Sequence, residues 1–125
     1  MGVLVVLVVA VGGFVGAPAR FLVDRFVADR AEADFPLGTF LINISGAFLL
    51  GLLTGLDIAG HMPQLVKDLV GVGFCGAYTT FSTWSFETVR LLEEGEVLEA
   101  LFTAFGSLAV GLVAAGGGIA LGLVR

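Results

Sequence analysis

The ten residues Thr79-Thr80-Phe81-Ser82-Thr83-Trp84-Ser85-Phe86-Glu87-Thr88 carry six hydroxyl groups within a largely apolar stretch. One or two serines or threonines satisfy the carbonyls of their own helix and signify nothing further. Six of them, directly after Gly71, Gly73 and Gly76, predict a break in the helix. Non-helical backbone at membrane depth persists only where protein buries it or where it lines water. Unwound carbonyls at such a break are suited to holding a cation. Where helix resumes, Phe81, Trp84, Ser85 and Thr88 fall at i, i+3, i+4 and i+7, on one face. Aromatic edges carry partial positive charge, so an edge-on ring can face an anion while neighbouring hydroxyls donate to it. The same pattern also describes a lipid-facing or core aromatic stripe with its hydroxyls turned inward.

Other polar residues stand in apolar surroundings, and each admits two readings. Asn43 offers two N–H donors and an acceptor. It either lines a site or ties helices together by an interhelical hydrogen bond. Thr103 and Ser107 are four apart and share a helix face. Arg20 either snorkels to the membrane interface or lines a vestibule that gathers anions. Glu87 either relays protons or pairs with Arg90 one turn on. No nucleophile–base pair is visible, so enzyme chemistry has little to stand on.

The elements that must position these residues follow from composition. Of 125 residues, 58% are hydrophobic and 14% charged. Residues 1–19, 35–56, 69–86 and 100–124 contain no Asp, Glu, Lys or Arg. A helix crossing the hydrocarbon core needs about 20 apolar residues, and all four runs reach that range. They predict an all-α membrane protein: one four-span transmembrane domain over residues 1–125, with spans at about 2–28, 36–56, 65–92 and 97–124. The third span is the one broken near its middle. Residues 29–34 form a polar loop, Pro36 and Gly38 open the second span, Pro63 suits a helix start, and Gly95 sits in the last turn.

Several classes drop out. Net charge −5 argues against nucleic-acid binding. A single cysteine, Cys75, and a single histidine, His61, leave no disulfide and no Cys- or His-based metal site. No run alternates like the strand of a membrane barrel. The first 19 residues lack the positive start of a cleavable signal peptide, so the first span is retained. Gly12/Gly16, Gly51/Gly55 and Gly118/Gly122 are spaced for close helix packing. Lys67 and Arg125 lie toward one side, and Arg25, Arg30 and Arg90 toward the other. So even a split gives little orientational bias, which suits insertion both ways and antiparallel pairing. Four short spans enclose no pore alone, so an oligomer is expected.

Together these residues resemble the CrcB/Fluc fluoride channel family over essentially the whole chain. The resemblance is carried by Gly12-Gly13-Phe14-Val15-Gly16-Ala17 with Arg20, by Gly38-Thr39 with Asn43 and Gly46, and above all by Gly76-Ala77-Tyr78-Thr79-Thr80-Phe81-Ser82-Thr83 through Glu87. It implies an antiparallel dual-topology dimer in the cell membrane with two narrow pores, passing fluoride down its gradient and protecting the cell from fluoride. It implies a structural Na⁺ at the dimer interface, held by the backbone carbonyls of Gly76 and Thr79 from both subunits. By the same carry-over, Asn43 donates to the ion and Phe81 presents its ring edge. Ser82, Thr83 and Ser85 supply hydroxyls, Thr103 and Ser107 form a polar track, Arg20 sits by a vestibule, and Glu87 lies near a pore end. The chain departs from the family's pattern at Trp84, where a second pore phenylalanine is usual, and at Gly76-Ala77, where Gly-Gly is usual. Trp84 bears on pore width, and it also fits one member of a pair of paralogous subunits.

Two rival readings remain beside this one. A small dual-topology multidrug exporter wants a carboxylate in its first span, and residues 1–19 have none. A non-conducting subunit of a heteromeric channel accounts for the glycine pairs but not for Asn43 and the hydroxyls.

Overall fold

The structure is a computed structural model that describes residues 2–30 and 37–124. Every regular element among them is helical. Helix α1 is Gly2–Arg30 and α2 is Leu37–Ile58. Helix α3 covers 64–78: it joins Gln64–Val66, a π-helical stretch Lys67–Cys75 and a closing turn Gly76–Tyr78. Helix α4 is Ser82–Glu93, and α5 is Val97–Val124 with a π-helical segment at Phe102–Gly106. Pro63 precedes α3 in an extended conformation, as a helix start requires. Gly60 and Gly95 take positive φ at the two described turns, where a side chain would be strained. Helix α1 runs two residues beyond the expected end and α2 likewise. The expected loop at 31–34, Pro36 and Arg125 lie outside the described residues.

Three helices, α1, α2 and α5, are long and apolar enough to cross a membrane. Their surfaces agree with that setting. Ile42, Leu91 and Ala100 are buried, whereas Val3 is 76% and Phe14 81% exposed. Water tolerates scattered exposed apolar side chains but not faces this continuous; lipid does.

Without a hydrophobic drive between helices, packing rests on small residues. Helix α2 lies along α5, and α1 along α3. In the first pair, Gly51 abuts the Ala115 carbonyl and Gly55 the Ile119 carbonyl, while Gly118 and Gly122 meet the backbone of 48–56 from the other side. In the second, Gly12 and Gly16 abut the backbone of Leu69 and Phe74, and Gly73 faces Val9. All three glycine pairs are thus packing devices.

Between α3 and α4 the helical path is interrupted. Thr79 is extended (φ −81°, ψ 161°). Its hydroxyl and its N–H both donate to the Cys75 carbonyl, closing α3. The Thr80 hydroxyl accepts the Thr83 N–H at 3.2 Å and caps the first turn of α4. Thr80 itself has no helical partner. Instead Asn43 of α2 donates from Nδ2 to the Thr80 carbonyl at 3.0 Å, and the Thr80 N–H donates to Asn43 Oδ1 at 2.9 Å. One side-chain amide therefore satisfies both backbone groups of the interrupted residue.

Two outcomes follow. Gly55→Val forces a side chain into the Ile119 backbone and should lower stability by about 1–3 kcal/mol. Gly117→Ala points into open space and should be neutral; unfolding in detergent compares them. Asn43→Ala leaves the Thr80 peptide unpaired, worth about 1–3 kcal/mol. The Thr80 amide should then exchange with solvent markedly faster, and an unchanged exchange rate would deny the brace.

Candidate functional site

The break and Asn43 open onto a cavity of about 550 Å³. Gly76, Thr79, Thr80, Phe81, Trp84 and Ser107 line it with Asn43, beside apolar residues of α2, α3 and α5. None of its lining residues is charged. A second cavity of about 260 Å³ holds Arg20, Asp24, Thr39 and Thr83, and Thr80 lines both. The Asn43–Thr80 pair therefore stands between an uncharged chamber and one that contains a guanidinium and a carboxylate. Helix α2 presents Asn43 to the first chamber and Thr39, one turn earlier, to the second.

The donors differ in how much of their capacity remains. Asn43 uses its oxygen and one N–H on Thr80; an amide has a second N–H. Thr79, Thr80 and Thr88 hydroxyls are bonded within their own segment. Ser82 lies 3.4 Å from the Thr80 hydroxyl. Two buried hydroxyl oxygens, Thr103 Oγ1 and Ser107 Oγ, have no hydrogen-bond partner, and neither has Glu87 Oε1. Phe81 is 75% exposed on the protomer and inclined 46° to Trp84, with ring centroids 5.2 Å apart.

Against the sequence expectations, Asn43, Gly76, Thr79, Phe81, Trp84 and Ser107 come together at one cavity. Arg20 and Thr83 lie at the neighbouring one. Ser82, Ser85, Glu87 and Thr103 line neither. Both readings of Asn43 meet in one residue: it ties α2 to the break, and it faces the cavity. Arg90 pairs with Glu94 at 3.9 Å rather than with Glu87, because i+4 on the exposed side is reachable while the Glu87 carboxyl turns inward beside Thr39. The Trp84 N–H is bonded to the Thr103 carbonyl at 2.8 Å.

Two residues gain importance that sequence reasoning did not give them. Thr80 was one hydroxyl among six and proves to be the hinge of the whole site. Thr39 was only part of a Gly-Thr motif, yet it is 4% exposed and adjoins both Glu87 and the second cavity. A threonine one turn before the asparagine of an apolar run was the available signal.

Comparison with known proteins adds the family. A family model described as CrcB-like protein, Camphor Resistance (CrcB), matches residues 7–119. The chain is 49% identical to fluoride-specific ion channel FluC 1 of Streptomyces avermitilis over 113 residues, 90% of this chain and 91% of that one. It is 46% identical to FluC 1 of Leifsonia xyli subsp. xyli over 95% of this chain and 87% of that one. It is 48% identical to FluC 2 of Moorella thermoacetica over 87% and 88%. Matches of this extent, with three long apolar helices, make it a multi-pass membrane protein. The chain belongs to the CrcB-like family, as the residues around its helix break suggest.

Proposed function

We propose that this chain forms a fluoride-selective ion channel that lets fluoride leave the cell down its gradient and so relieves fluoride toxicity. The observation that carries this reading is an uncharged cavity at the break. There the Asn43 amide, the Phe81 and Trp84 rings and the Ser107 hydroxyl converge. The relatives named as fluoride-specific channels support it.

The chemistry suits the ion. Fluoride is small and holds its water tightly, so a filter must replace that water with several fixed donors. Thr103 and Ser107 are buried hydroxyls without partners, a state that costs about 1–3 kcal/mol each. An anion in the cavity beside Ser107 offsets that cost there. The free Asn43 N–H and the ring edges of Phe81 and Trp84 complete a set of neutral donors, joined by the hydroxyls of Ser82, Thr83 and Ser85. Neutral donors attract fluoride without trapping it, and a narrow path excludes the larger chloride by fit. Arg20 in the second cavity gathers anions at the vestibule, and Glu87 beside Thr39 marks a pore end.

Four crossings serve this function, the third made jointly by α3, the break and α4. The exposed Phe81 and the open cavity suit a second subunit, either this chain in antiparallel orientation or a paralogue. The family's structural Na⁺ belongs at the join, held by the carbonyls of Gly76 and Thr79. The residues fit it: Thr79 leaves the helical ladder, and Thr80 gives its N–H to Asn43 instead of Gly76. A Cβ at Gly76 would meet nothing. Carbonyl oxygens are suitable ligands for a hard cation. When bound, the ion supplies a fixed positive charge that ties two breaks together. Replacing Na⁺ by N-methylglucamine should reduce the dimer fraction, and an undiminished dimer would remove the ion from this account.

The test is fluoride efflux from liposomes that hold only this chain, with chloride as control. Fluoride loss without chloride loss is expected. Asn43→Leu and Phe81→Ile should abolish efflux while the dimer persists; normal flux in both would sink the assignment. Thr103→Val should slow efflux, because it keeps the shape and removes the unpartnered hydroxyl.

A further inference from the structure

The Trp84 hydrogen bond was not needed for the channel reading, and it changes what that residue does. Trp84 lines the cavity with its ring. Its N–H, however, donates to the Thr103 carbonyl at 2.8 Å. Thr103 is 1% exposed and is not a lining residue, so this donor is directed into the contact between α4 and α5. The acceptor lies in the π-helical segment Phe102–Gly106, where the regular ladder is altered and π segments often mark function. The same segment carries the unpartnered Thr103 hydroxyl, and Ser107 with its own follows directly. On the other side the Trp84 ring sits against Phe81. One indole thus connects the exposed ring to the backbone of the segment that holds Thr103 and leads into Ser107. A phenylalanine in its place has no N–H and makes no such bond.

We propose that Trp84 is a positioning residue: its N–H latches α4 to the π-helical segment of α5, and so sets the tilt of Phe81 and the placement of the Thr103 and Ser107 hydroxyls. That N–H is not a donor to the passing anion; only the ring edge faces the cavity. The inference rests on the channel reading for its consequence, though the latch itself does not.

Trp84 is the sole tryptophan, so one ¹⁵N-labelled indole signal reports on it without ambiguity. In the full-length protein, that N–H should be protected from hydrogen exchange to the same extent with and without fluoride. Exchange as fast as free tryptophan, or protection that appears only when fluoride is added, would overturn the proposal. Trp84→benzothienylalanine keeps the fused rings and removes only the donor. Efflux per folded dimer should fall severalfold, and Trp84→Phe should do the same. A merely structural role would lower the unfolding midpoint and leave efflux per folded dimer unchanged, which also overturns the proposal. Should neither variant fold, the indole exchange of the unaltered protein decides. Should the unaltered protein pass no fluoride, the channel reading fails, and the exchange measurement still decides whether the latch exists.

Discussion

The site depends on the two hydrogen bonds between Asn43 and the Thr80 peptide. A backbone that leaves the helix gives up the helical partners of its N–H and carbonyl, and both groups are costly to leave unpaired when buried. Asn43 matches both at once, with an amide that is itself a peptide mimic. The break is therefore stable because α2 supplies what α3 and α4 no longer supply each other. That α2 residue is in turn fixed by the glycine seam along α5. Cavity, donors and seam form one chain of dependence that runs through a single side chain.

The hydroxyl-rich segment divides its labour by the same logic. Thr79 closes one helix and Thr80 caps the next, while Thr88 returns its proton to the Trp84 carbonyl. The first two bonds build the interruption; the third lies wholly within α4. The groups left without partners are elsewhere, on the buried side of α5 and at Glu87. The hydroxyls that build the break and the buried hydroxyls left without partners are thus different groups, in different parts of the chain.

What was legible in the sequence was whatever obeys local rules. Charge-free runs marked the apolar helices, because lipid admits few charges along a helix. Gly-Xaa-Xaa-Xaa-Gly spacing marked the seams, since only hydrogen atoms fit where backbones touch. Hydroxyl density after three glycines marked residues 79–88, and the interruption lies at its start. The pairings over long separations were not legible. Asn43 and Thr80 are 37 residues apart, and Trp84 and Thr103 are 19 apart. No spacing rule joins them, because the geometry is set by how α2 and α5 pack. The π-helical stretches were equally silent, as they arise from tertiary fit rather than from any residue pattern. The Glu87–Arg90 pairing failed because helical adjacency says which groups can meet, not which way a buried carboxylate turns.

The backbone contact between α2 and α5 has a consequence for motion. Two helices that touch carbonyl to glycine along three turns have no layer of side chains between them to flex, so rolling or sliding one past the other means collision. They behave as one stiff plate. The α1–α3 contact is built in the same way, with Gly12 and Gly16 against the backbone of Leu69 and Phe74 and Gly73 against that of Val9, so it resists sliding too. Compliance is then left to the three residues between α3 and α4 that are not helical. Movement of the chain is confined to the interruption itself, where Asn43 holds Thr80 by two hydrogen bonds.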